Sequence, residues 1–80
     1  MTYSEKVLMK IEMYLMKKYG CDEAHRLIDP LSWYINTGRA SMGFIRGVDA
    51  TKPHLIARIL KRSGSAQDIV DALKAYVKEA

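Results

Sequence analysis

Residues 2–20, TYSEKVLMKIEMYLMKKYG, carry the signals a helix needs to start, run and stop. Thr2 with Glu5 three residues later matches a capping box, in which the hydroxyl accepts from a backbone N–H left over at the helix start. Val7, Ile11, Tyr14 and Leu15 recur at helical spacing and centre one apolar face, with Leu8 at its edge and Tyr3 on its flank. Lys17 and Lys18 suit the negative end of a helix, and Gly20 suits the left-handed residue that terminates it. A helix over 3–19 is predicted.

Outward from this stretch, the punctuation remains helical. Asp22 is placed to cap a short helix over 23–28. Asp29-Pro30 reads as a restart, with Asp as cap and Pro at the first helical position, and predicts a helix over 30–37 ending at Gly38. Ser41 caps a short turn of helix at 42–46, ended by Gly47. Thr51 caps a helix over 52–62 with Pro53 in its first turn, and Gly64 ends it. Ser65 with Asp68 three residues on opens the last helix, over 66–78. Only residues 44–48 approach strand-like alternation, and Gly43 and Gly47 weaken it. The prediction is an all-α chain, a single compact domain over 1–80 of about five helices, with the first and last the longest.

Composition narrows the classes. The chain has 80 residues, of which 49% are apolar and 28% charged, enough for one small core and too apolar for a disordered chain. No apolar run approaches the roughly 20 residues of a membrane span, and the N-terminus lacks the basic-then-apolar pattern of an export signal. Cys21 has no second cysteine to pair with, which fits a reducing, cytoplasmic setting.

The net charge of +4 is unevenly placed. Arg39, Arg46, Lys52, Arg58, Lys61 and Arg62 oppose Asp49 alone within residues 39–62, while 21–38 and 63–80 are net acidic. On the 52–62 helix, Leu55, Ile56, Ile59 and Leu60 fall on one side; His54, Arg58 and Lys61 fall opposite, with Ala57 near them. Residues 37–47, TGRASMGFIRG, set Arg39 and Arg46 among three glycines, which leave backbone that a phosphate can approach closely. Arg39, Arg46, His54, Arg58, Lys61 and Arg62 are therefore the candidate anion-binding residues.

The first helix has a second apolar face. Met9, Met13 and Met16 lie roughly opposite its Val7–Leu15 face. Either the helix is central and covered on both sides, or the methionines form a homodimer or partner interface, a use that suits their flexibility. The last helix is one-sided, with Ala66, Ile69, Val70, Leu73, Tyr76 and Val77 inward and Gln67, Asp68, Asp71, Lys74 and Lys78 outward.

Chemistry-bearing motifs are sparse. Cys21 and His25 are four apart, but His54 is the only other histidine, short of the ligands zinc needs. Cys21 is expected to be a partly buried, unreactive thiol. Gly38, Gly43 and Gly47 follow no strand and precede no GK[ST], so no nucleotide loop is present. Residues 35–39, INTGR, are similar to the end of a recognition helix in phage repressors. The helix-turn-helix frame over 23–37 nevertheless has too tight a turn at Asp29-Pro30, and the frame over 56–76 turns Asp68 and Asp71 toward the phosphates. No catalytic residue, metal or cofactor is assigned, and an enzyme is not expected. The expectation is a small basic helical protein that binds nucleic acid, or regulates, by contacting an anionic partner through residues 39–62. The alternative is a helical interaction module or small inhibitor of a nucleic-acid-handling machine, meeting an acidic protein surface with the basic segment or a partner with the Met face. No membrane partner is expected.

Overall fold

The computed structural model describes residues 1–62 and 64–79, with side chains through residue 77. These residues form five α-helices: α1 (Tyr3–Tyr19), α2 (Cys21–Asn36), α3 (Met42–Ala50), α4 (Pro53–Arg62) and α5 (Ala66–Glu79). Three of them start at the expected hydroxyl caps. Thr2 Oγ1 accepts from Glu5 N at 3.2 Å, Ser41 Oγ from Phe44 N at 3.1 Å and Ser65 Oγ from Asp68 N at 3.2 Å.

Gly20 joins two helices by itself. At φ +89° its N–H donates to the Met16 carbonyl at 3.0 Å and closes α1, while its own carbonyl accepts from Ala24 N at 3.0 Å and opens α2. Asp22 consequently lies in the first turn of α2 and is not its cap. The chain doubles back here, so that Glu12 faces His25 at 3.8 Å and α1 packs more extensively on α2 than on any other element.

The expected helices over 23–28 and 30–37 are one element, with Pro30 in its interior. A proline there has no N–H to offer the Arg26 carbonyl, at a cost of about 3 kcal/mol. Ala24, Leu27, Ile28, Leu31 and Ile35 keep helical spacing straight through the proline, and each is at most 5% exposed. Burying each of the larger four contributes about 1.5–3 kcal/mol, so the stripe outweighs the proline. This makes α2, at 16 residues, longer than α5, at 14. It also removes the first helix-turn-helix frame, because no turn separates its two halves.

Helix α3 runs on to Ala50, past the expected turn at 42–46, and Gly47 lies inside it. Gly47 does not stop the helix; it lets α5 approach. A β-carbon at this position would stand 2.9 Å from Val77 Cγ2 and nearer still to Cγ1. Thr51 is not the cap of α4. It is buried, and its hydroxyl donates to the Gly47 carbonyl at 3.0 Å at the end of α3. The carbonyl of Lys52 accepts from Leu55 and Ile56, and Pro53 opens α4.

Helices α2, α3 and α4 each pack on both α1 and α5, which touch each other little. Among the described residues one buried cluster draws on all five helices, with Leu15, Leu31, Val48, Ile56 and Leu73 each at most 1% exposed. Helix α5 is one-sided as predicted: Ile69, Val70 and Leu73 are buried, and Gln67, Asp68, Asp71 and Lys74 are exposed. The outward direction expected for Lys78 lies outside the described side chains. Among the described residues no helix is long and apolar enough to cross a membrane.

Gly47→Ala is expected to destabilise the protein by about 1–3 kcal/mol, although alanine is the better helix former, because branched Val77 cannot swing clear of an added methyl. Urea unfolding checks this; a variant as stable as the parent would contradict the packing described.

Candidate anion-binding groove

His54, Arg58 and Lys61 stand at i, i+4 and i+7 of α4, so their side chains rise along one face. All three are exposed, as the periodicity predicts, and Ile56, Ile59 and Leu60 are buried on the other side. Ala57 is the exception. It was expected beside the basic stripe and is 1% exposed, because α4 packs against α1, α2 and α5 and so buries a wider arc than one neighbour would.

The α1–α2 reversal brings the end of α1 to this stripe. Lys61 Nζ lies 4.7 Å from the centre of the Tyr19 ring, and Lys18 Nζ lies 5.7 Å from the same ring and 5.8 Å from that of Tyr14. The electron-rich ring face attracts both ammonium groups and holds two like charges near each other. Lys18, Tyr19, His54, Arg58, Lys61 and Arg62 together line an open depression of about 250 Å³. Among the described residues no carboxylate forms an ion pair with any of its basic side chains. Glu23 is close enough to Lys61 to feel its charge. Its carboxylate is bound by the Arg26 guanidinium, which holds it below the ordinary carboxylate range. Among the described residues the cations of the groove thus stand outside any ion pair, at a site wide enough for a phosphate or carboxylate.

The other two predicted anion-binding residues are elsewhere. Arg39 stacks on Trp33 beyond the end of α2, with its guanidinium carbon 5.5 Å from the ring. Arg46 is exposed on α3, near enough to Tyr3 to interact with it electrostatically. Tyr3 and Lys18 are separated by about 22 Å of helical rise along α1, so residues 39–62 do not form one patch. The expected contact surface was the 39–62 segment as a whole; the break between α3 and α4 sends Arg46 and Arg58 apart.

A second polar cluster ties α1 to α3. Lys10 Nζ donates to Asp49 Oδ1 at 2.6 Å, and the Tyr3 hydroxyl donates to Asp49 Oδ2 at 2.7 Å. The bonds from Lys10 and then Tyr3 hold the Asp49 carboxyl below its usual range, while the same carboxylate raises Lys10 and Tyr3. Sequence reasoning found neither this cluster nor Lys18 and Tyr19 as groove residues. Lys18 reads from sequence only as a helix-end charge, and the partners of Asp49 lie 39 and 46 residues away.

Cys21 is exposed, which corrects the expectation of a partly buried thiol: it is the first residue of α2, beside the Gly20 turn, and on the solvent side. Among the described residues no three His, Cys, Asp or Glu side chains are grouped to hold a metal ion. The methionines of α1 are not core: Met9 is 44%, Met13 59% and Met16 37% exposed, so the centrally buried arrangement of α1 does not occur. No protein-family model, curated protein or solved structure matches the chain.

Because the folded state depresses Asp49, its carboxylate stabilises the fold fully above the free-aspartate value of about 3.9, and that stabilisation disappears as pH falls through the lowered folded value. Asp49→Asn is expected to lower the urea midpoint at neutral pH, with the gap to the parent closing in strong acid. A gap that persists unchanged in acid would show that the carboxylate charge is not what joins α1 to α3.

Proposed function

We propose that this protein is a small, non-catalytic binding protein that holds the phosphate backbone of a nucleic acid in the α1–α4 groove. The observation that supports the reading is the convergence of Lys18, Arg58, Lys61 and Arg62 on one depression, with no carboxylate among the described residues paired to them. His54 extends the same stripe, which rises about 10 Å from His54 to Lys61 and so has room for more than one phosphate. Contacts of this kind position a backbone and carry no base information, so binding is expected to be largely independent of sequence. Insertion of α5 into a DNA groove has no support, because Asp68 and Asp71 are exposed on its outer side. The cytoplasm is the proposed setting, since an exposed lone thiol such as Cys21 persists where thiols are kept reduced.

Affinity for generic duplex and single-stranded oligonucleotides, measured at two salt concentrations, tests the reading. With four phosphates neutralised, a fourfold rise in salt is expected to weaken duplex binding by roughly two orders of magnitude. Reversing Arg58→Glu with Lys61→Glu is expected to weaken binding more than about tenfold and leave the helical circular dichroism unchanged. Reversing Arg39→Glu with Arg46→Glu is expected to weaken it less. Equal losses from the two pairs would assign binding to overall charge and dismiss the groove; no binding at low salt would dismiss nucleic acid altogether.

A further inference from the structure

Helix α1 buries Val7, Ile11 and Leu15 to 3% exposure or less and turns Met9, Met13 and Met16 to solvent. The residues flanking those methionines follow a heptad. With Lys6 and Met13 at position a, Met9 and Met16 fall at d, Lys10 and Lys17 at e, and Glu5 and Glu12 at g. Val7 and Tyr14 fall at b, Leu15 at c and Ile11 at f, the side that belongs to the chain's own core. One helix thus carries an internal face and, separately, the a/d seam and charged flanks of a two-stranded coiled coil.

We propose that this face docks a second copy of the chain, α1 against α1, as a short parallel and in-register pair. The charges choose both the occupant and its direction. In a parallel pair each g residue meets the e residue of the next heptad across the seam. Glu5 then meets Lys10 of the second copy, and Glu12 meets Lys17 of the second copy, each twice by symmetry. In an antiparallel pair e meets e and g meets g, so lysines face lysines and glutamates face glutamates. The side of α1 that receives the lysines is already acidic: Glu5, Leu8, Met9 and Glu12 of α1 line a depression of about 350 Å³ with Asp29 and Ser32 of α2. Lys10 spends one N–H on Asp49 and keeps two for a carboxylate of the second copy, with 58% of its side chain exposed. Lys6 at the remaining a position weakens the seam, and a lone charged residue at a is a device that fixes register. The seam has only three methionines per chain, so the dimer is concentration-dependent. The parallel direction also brings both basic grooves to the same end of the pair, a consequence that rests on the proposed function, whereas the dimer itself does not.

Sedimentation equilibrium of the full chain over a range of concentrations is the test. The mass is expected to rise from 9.1 kDa toward twice that value. Met13→Glu, at the most exposed of the three methionines, is expected to give a monomer with unchanged circular dichroism. Glu12→Lys and Lys17→Glu are each expected to weaken self-association, and an equimolar mixture of the two variants to restore it. In a Cys21→Ser background, Met9→Cys and Met16→Cys, introduced separately, are each expected to cross-link on mild oxidation. An antiparallel pair centred on Met13 would cross-link neither. A parent chain monomeric at every concentration, a dimer indifferent to Met13→Glu, or absence of both cross-links would overturn the proposal. The groove variants Arg58→Glu and Lys61→Glu are expected to leave the dimer intact, so a failure of nucleic-acid binding and a failure of pairing are separately visible.

Discussion

Gly20 turns the chain through one residue at φ +89°, a backbone conformation that a side chain would strain. The tightness of that turn leaves α2 nowhere to go but back along α1. Three features depend on it. The apolar stripes of the two longest helices face each other and seed the core. The C-terminal end of α1, with Lys18 and Tyr19, is delivered to α4. The methionine face of α1 is left largely to solvent, with Met9 at the edge of a depression shared with α2.

Two close contacts then set the positions of the shorter helices. Lys10 and Tyr3 grip Asp49 and fix the start of α1 against α3. The bare backbone of Gly47 admits Val77 and seats α5 on α3 from the opposite side. An 80-residue chain has little core to spare, so a glycine that permits close approach and an ion pair that fixes helix placement matter more here than in a larger domain. With α1 and α5 at the two outer positions, the charged stripe of α4 meets solvent beside the end of α1.

Local signals were legible wherever their partners lie within a turn. The caps at Thr2, Ser41 and Ser65, the stop at Gly20 and the inward face of α5 could all be read in sequence, because each depends on residues within a few positions. Pro30, Gly47 and Thr51 each carry a strong local preference for breaking or starting a helix that the fold does not follow. The buried stripe running through Pro30 outweighs its missing N–H, Gly47 serves the approach of Val77 from α5, and Thr51 bonds back to the Gly47 carbonyl at the end of α3. Ala57 shows the limit of periodicity for exposure: a wheel assumes one covering neighbour, whereas α4 packs against several helices.

The all-helical class, the apolar stripes, the basic side of α4 and the heptad of α1 are properties of the sequence alone, because side-chain periodicity and charge order are written in it directly. Which bases share a surface was decided only by the tertiary structure. Arg39 and Arg46 are neighbours of Arg58 in the chain and not in space, while Lys18, some 40 residues before Arg58, stands beside it. The physical reason is that helices are stiff rods joined by short turns. Sequence determines the face each rod presents, and the packing of the rods determines which faces meet.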